Sequence, residues 1–172
     1  MNANARPKDW DDEVVLPDVS TPKRVLIAFD GSHNSERALA WGAYVGARAE
    51  MEIVVVVAYE QPMTMRGRGA VYVEEVRDEL ETEALALATE AVELLKGRNL
   101  NARGVVVKGE IAGAILDVVE QQDCELVIIG RQGISSELGG ATSAMDRVRN
   151  MLQGGISHKV GRHCTVPVLM VP

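Results

Sequence analysis

The sequence is poor in aromatic side chains: three tyrosines, two tryptophans and one phenylalanine among 172 residues. A core must therefore be assembled from Val, Ile, Leu, Met and Ala, the composition of parallel sheets buried on both faces. Cysteine is also scarce. Cys124 and Cys164 are the two present, at no spacing that suggests a disulfide framework or a zinc site, and each reads as a small apolar residue. No apolar run approaches the ~20 residues of a membrane span, and residues 1–18 contain no signal-peptide apolar region. The expectation is a cytoplasmic protein without membrane contact. Basic residues are outnumbered, 18 Lys and Arg against 25 Asp and Glu, for a net charge of −7. That balance argues against nucleic acid as a partner, which would need a basic face.

Several catalytic signatures are missing too. The segment Asp30-Gly31-Ser32-His33-Asn34-Ser35 does not match the G-x-G-x-x-G of a dinucleotide binder. No string matches a P-loop or a G-x-S-x-G nucleophile elbow. The histidines are His33, His158 and His163. The last two stand five apart, a spacing that does not share a helix face, and His33, beside the expected crevice, is not given a catalytic role. No catalytic or metal-ligating residue is assigned.

What is present is alternation. Short apolar runs at Val25–Phe29, Ile53–Tyr59, Gly104–Val107, Leu126–Ile129 and Val166–Val171 read as strands. Helical periodicity separates them, from about Ser32 to Ala49, Val71 to Lys96 and Ile111 to Gln121, with a short helix before the last strand. Val76, Leu80, Leu87, Ala91, Leu94 and Leu95 are the expected apolar stripe of the long second helix, and Gly97 its stop. Gly42 and Gly46 would let the first helix approach the sheet closely. The order β-α-β-α-β-α-β-loop-α-β predicts an α/β domain with a parallel sheet and helices on both faces. Ile53–Tyr59, apolar throughout, belongs at its centre, and Pro167 marks the last strand as an edge. Residues 1–22 read as a flexible arm with an apolar island of Trp10, Val14, Val15 and Leu16. Residues 23–172 form one domain.

The fourth apolar run ends in Gly130 and Gly133, and Gly154-Gly155-Ile156-Ser157 opens the last helix. Glycine lets backbone approach an anion, and free N–H groups at a helix N-terminus point at phosphates. Asp30 ends the first strand. It can bond backbone N–H groups in its own turn, accept from a ligand amine or hydroxyl, or do both.

The strings VLIAFDGS, VVVKGEIAGAILDVVEQQDCELVIIGRQG and LQGGISHKVGRHCTVPVLMVP together resemble the universal stress protein family over about residues 23–172. The resemblance implies a single Rossmann-like domain with five parallel strands in the order 3-2-1-4-5. It also implies a homodimer through the last strand, Val166 to Val171, and binding of ATP (or ADP or AMP, with or without Mg). ATP-binding members carry G-x2-G-x9-G-(S/T). By that likeness Ala28, Phe29, Asp30 and Val57 would lie on the adenine side. Ile129 and Gly130 would flank the nucleotide, and Gly133 would approach the phosphates. Gly154, Gly155, Ile156 and Ser157 would bind phosphates through backbone N–H groups and one hydroxyl.

Two departures stand out. Twenty residues separate Gly133 from Gly154 where the family pattern has nine, so a polar insert occupies about residues 134–150. It would serve as a lid or as a surface loop. Gly155 stands where the family has Ser or Thr, which removes a hydroxyl worth roughly 0.5–1.5 kcal/mol; Ser157 is the candidate replacement. The leading expectation is an ATP-binding, dimeric, cytoplasmic regulator of stress response that is not an enzyme. An interaction module of the same fold that binds no nucleotide, but has a protein partner, is the alternative, and a weak ATP hydrolase the third.

Overall fold

The computed structural model describes residues 20–60, 70–132 and 155–172, with the side chains of 70–77 excepted. They form β1 (Arg24–Ala28), α1 (His33–Ala49), β2 (Glu52–Tyr59), α2 (Ala70–Lys96), β3 (Ala102–Lys108), α3 (Ile111–Gln121), β4 (Leu126–Gly130), α4 (Ile156–His163) and β5 (Val168–Val171). All four strand pairings are parallel, in the order β3-β2-β1-β4-β5. The expected fold class and strand order are both observed.

The strand period of two divides the core. Val25, Ile27, Ile53, Val55, Val57 and Ile128 point to the face covered by α1 and α2. Leu26, Ala28, Val54, Val56, Val127 and Ile129 point to the face covered by α3 and α4. β1 and β2 therefore carry no polar side chain between Val25 and Ala28 or between Ile53 and Val57. That is the pattern of strands buried on both sides.

A strand bound and a helix stripe differ from the sequence expectation. β5 starts at Val168, one residue after Pro167. The proline's carbonyl still accepts from Val127 N–H at 3.0 Å, but its ring nitrogen has no proton to give, so the ladder begins beyond it. Among the described side chains of α2, Ala84, Ala88, Ala91, Val92 and Leu95 are buried and Leu87 is partly buried, while Leu94 is exposed; Val76 lies outside them. Small side chains face the sheet because α2 lies close to it: a Cβ at Gly104 would sit 3.3 Å from the Cβ of Ala88.

α1 lies close as well. A Cβ at Gly42 would come within 2.1 Å of Ile27 Cδ1, and one at Gly46 within 2.9 Å of Ile53 Cδ1. Both isoleucines are fully buried. Gly42→Ala gains helix propensity of about 1 kcal/mol but overpacks the core by roughly 1–3 kcal/mol. We expect net destabilisation in urea unfolding, partly relieved by adding Ile27→Val, which deletes Cδ1; strict additivity of the two changes would refute this packing account.

At the opposite end from the strand C-termini, Glu52 joins three strands. Its two carboxylate oxygens each accept from an arginine Nε, Arg24 and Arg103, both at 2.7 Å. Gln122, at the end of α3, accepts from Arg103 Nη2 at 2.6 Å through its side chain and from Arg24 Nη1 through its carbonyl. The hydrogen bond from Arg103, then that from Arg24, holds the Glu52 carboxyl below its ordinary value of 4.5. A depressed folded-state pKa contributes stability that is full above the unfolded value and lost as pH falls below it. Thermal unfolding followed from pH 7 to pH 3 should therefore show an acid decline below about pH 4.5 that is shallower in Glu52→Gln; parallel curves would contradict the role given to this cluster.

Candidate functional site

The sheet order puts its switch point between β1 and β4: β1 connects through α1 to β2 on one side, while β4 lies on the other. Ligands of open α/β sheets bind outside the strand C-termini at such a point. Ala28 is in register with Ile129 here, so the Asp30 turn and the Gly130 turn leave the sheet side by side.

The Asp30 turn is built from short polar side chains. Asp30 Oδ1 accepts from Ser32 N–H at 3.1 Å. Gly31 follows at φ +76, a conformation with little steric cost only for glycine. Ser32 is the N-cap of α1, its Oγ accepting from Ser35 N–H at 3.2 Å. The Ser35 hydroxyl donates to the Ser32 carbonyl at 2.9 Å and accepts from Asp30 N–H at 3.3 Å. Ser32 and Ser35 are buried, so this network replaces the water that would otherwise satisfy these groups.

The Gly130 turn docks onto α1. A Cβ at Gly130 would lie 2.9–3.0 Å from the carbonyl carbon, Cβ and carbonyl oxygen of Asn34. Beyond it, Arg131 N–H donates to the Val171 carbonyl at 2.7 Å, and Asn34 Nδ2 donates to the Gln132 carbonyl at 3.2 Å. Ser157, in the first turn of α4, donates its hydroxyl to the Arg131 carbonyl at 2.7 Å. The turn is thus tied to α1, β5 and α4 together.

α4 begins at Gly155 (φ −55, ψ 175), with no side-chain cap. The Gly155 carbonyl accepts from His158 and Lys159 N–H at 2.9 and 3.1 Å. Ile156 and Ser157 N–H precede the first intrahelical bonds. Around Gly155 no heavy atom would lie within 4 Å of an added Cβ. Close by, Glu110 caps α3 by accepting from Gly113 N–H at 2.7 Å and pairs with Lys159 at 3.3 Å. The Gly113 hydrogen bond, with Lys159 second among the stabilising contacts, lowers its pKa.

The residues expected at the site thus fall into three sets. Asp30, Gly130, Gly155, Ile156 and Ser157 stand at the mouth of the switch point. Ala28, Phe29, Val57 and Ile129 are buried and form the floor, Ala28 and Ile129 on the α3–α4 face, Phe29 and Val57 on the α1–α2 face. Gly133, Gly154 and the insert at about 134–150 lie outside the described residues, as do residues 1–19 of the expected arm. Asn34 and Gln132, outside the expected site residues, join the two turns across 98 residues. Nothing local in the sequence signals such a pair. Among the described residues no His, Cys, Asp and Glu cluster could hold a metal ion, and no helix is long and apolar enough to cross a membrane.

The model of the universal stress protein family matches residues 21–172. The chain belongs to that family. This universal stress protein is 29% identical over 155 residues to Universal stress protein YxiE of Bacillus subtilis (strain 168), covering 86% of this chain and 97% of the relative. Universal stress protein UspA from Lactobacillus plantarum superposes with a TM-score of 0.73 at 14% identity, covering 90% of this chain and all of that one. A universal stress protein solved in complex with cAMP superposes at 0.64 with 21% identity, over 89% of this chain and 99% of its own. These structural likenesses carry the fold.

The two site glycines should respond oppositely to substitution. Gly130→Ala, meeting backbone atoms of Asn34, should destabilise by about 1–3 kcal/mol. Gly155→Ser, in open space at an N-cap, should leave stability unchanged or raise it by a few tenths of a kcal/mol. Urea midpoints of the two variants check both, and equal losses would contradict the assignment.

Proposed function

We propose that this universal stress protein binds an adenine nucleotide (ATP, or ADP or AMP) over the C-terminal ends of β1 and β4, as a cytoplasmic regulator of stress response and not as a catalyst. The observation that carries the reading is the convergence at the switch point of the Asp30 turn, the Gly130–Gln132 turn and the uncapped N-terminus of α4. Ile156 and Ser157 N–H are donors suited to phosphate oxygens, and Gly155 leaves room for them. Asp30 suits a ribose hydroxyl or an adenine amine, while Gly130, flanked by Ile129, gives a surface for the sugar. Gly133 and Gly154 complete the phosphate loop by family pattern. Membership of a family with a cAMP-bound relative supports the choice of an adenine nucleotide. Mg, if present, would be held by the phosphates, since no acidic cluster in the described residues offers a ligand set.

One observation favours the second reading, an interaction module without nucleotide. The hydroxyl expected to substitute for the missing Ser or Thr, that of Ser157, already donates to the Arg131 carbonyl. A phosphate would have to displace that bond or use backbone N–H groups alone.

The proposed assembly is a homodimer through β5. It is an edge strand, with Leu169 and Met170 exposed, and such edges are covered in stable proteins. Pairing with a second copy about a two-fold axis would cover it.

Mass spectrometry on freshly purified full-length protein tests both parts. Under denaturing conditions it should release ATP, ADP or AMP, and under native conditions it should give the mass of two chains. Gly155→Ser should tighten nucleotide binding by about 2- to 10-fold, the worth of one hydrogen bond. No released nucleotide together with no thermal shift on titration would replace the first reading by the second. A monomer at micromolar concentration would refute the dimer, and hydrolysis that survives repurification would refute the non-catalytic role.

A further inference from the structure

The outward face of α1 is unlike the rest of the surface formed by the described residues. Arg37, Trp41, Tyr44 and Arg48 follow one another at spacings of four, three and four, so they form one stripe along the helix. Arg37 and Arg48 are exposed, and Trp41 and Tyr44 are 50% and 56% exposed. The side chains are mutually organised: the two rings meet edge to face at 6.1 Å and 85°, and Arg48 Cζ stands 5.3 Å from the Tyr44 ring centre. Among the described residues no carboxylate is ion-paired with either arginine. Trp, Tyr and Arg are the residue types that dominate binding hot spots, and here they concentrate on one helix of a chain with only six aromatic residues.

We propose that this stripe seats the chain's own acidic N-terminal segment, Asp9 to Leu16. That segment carries Asp9, Asp11, Asp12 and Glu13 around Trp10, followed by Val14, Val15 and Leu16. It therefore offers carboxylates for the two arginines and apolar side chains for the two rings. The other helix surfaces among the described residues fit it less well. α2, on the same face of the sheet, turns Asp78, Glu79, Glu81, Glu83, Glu90 and Glu93 outward, which would repel it. α4 exposes His158, Lys159, Arg162 and His163 but no aromatic platform.

Chain geometry allows the contact. Lys23, whose carbonyl accepts from Glu52 N–H at 2.9 Å, enters the sheet at the end where α1 finishes with Arg48 and Ala49. From Leu16 to Lys23 seven residues can span about 25 Å when extended. Arg48 and Arg37 are only about 16 Å apart along the helix axis.

The test uses the full-length chain carrying Trp10→Phe, which leaves Trp41 as its one tryptophan. In this background, acrylamide quenching of Trp41 is compared with that in a chain whose acidic segment is neutralised (Asp9→Asn, Asp11→Asn, Asp12→Asn, Glu13→Gln). Neutralisation should raise the quenching constant about two-fold, as a covered indole becomes half exposed. Arg37→Glu with Arg48→Glu should do the same, and Arg162→Glu should change nothing. The protection should be independent of protein concentration. Equal quenching with and without the segment's charges would overturn the proposal even if the arginine variant failed to fold. So would protection that follows Arg162, or that disappears on dilution, the latter assigning the stripe to a second copy.

Discussion

The distance between α1 and the sheet is the constraint on which the rest of this structure depends. Gly42 and Gly46 receive the ends of Ile27 and Ile53, which lets the helix axis lie closer than ordinary side chains would allow. At the top of the same helix, Gly130 lets the end of β4 touch the Asn34 backbone. The turn after β1 and the turn after β4 are neighbours because α1 sits low enough for both to reach it. A helix held off by one methyl would carry Asn34 away from Gln132, with which it now shares a hydrogen bond. Fold and site are therefore set by the same few glycines.

This gives Gly130 a meaning different from the one that a phosphate-loop pattern suggests. A glycine at a strand end near a nucleotide site invites the reading that backbone must approach an anion. Here the closest neighbour of its absent Cβ is protein backbone, so packing against α1 suffices to require glycine. Gly155 is the contrasting case. Its φ of −55 suits any residue and nothing crowds it, so neither sterics nor backbone strain demands glycine there. What the position gives up is a hydroxyl at the N-terminus of α4. Ser157, in the first turn of α4, donates its hydroxyl to the Arg131 carbonyl, a bond that ties α4 to the turn after β4 and so has structural value of its own.

The elements were legible where their signals are local. Helix α3 begins and ends at the residues its apolar spacing indicates, and β2, apolar from Ile53 to Ala58, lies between β3 and β1. The buried face of α2 was legible in part: Ala91 and Leu95 of the expected stripe are buried and Leu87 is partly buried, but Ala84 and Ala88 were hidden because alanine is neutral in a hydrophobic pattern, and Leu94, in phase with the stripe, is exposed. The Glu52 cluster was also hidden, since Arg24, Glu52, Arg103 and Gln122 come from four elements and become neighbours only through the sheet order. At the site, the location could be read from strand ends and glycines. The hydrogen bonds that join its three walls could not, because Asn34 and Gln132, or Ser157 and Arg131, carry no mutual mark in the chain.

The same helix bears on whether the stripe and the crevice influence each other. α1 presents the Ser32–Asn34 corner to the crevice at one end and the Arg37–Arg48 stripe along its outer face. Coupling between two sites needs an element with two arrangements that both ligands bias. A helix seated with glycines over isoleucine side chains, capped by Ser32 and closed at Glu50 by a hydrogen bond to the Gly46 carbonyl, has little room for a second arrangement, since interiors packed this closely do not deform continuously. A segment lying on its outer face would add contacts without moving its inner one. On these grounds docking of the acidic segment and filling of the crevice are independent events on one rigid helix, with α1 acting as a shared wall and not as a lever.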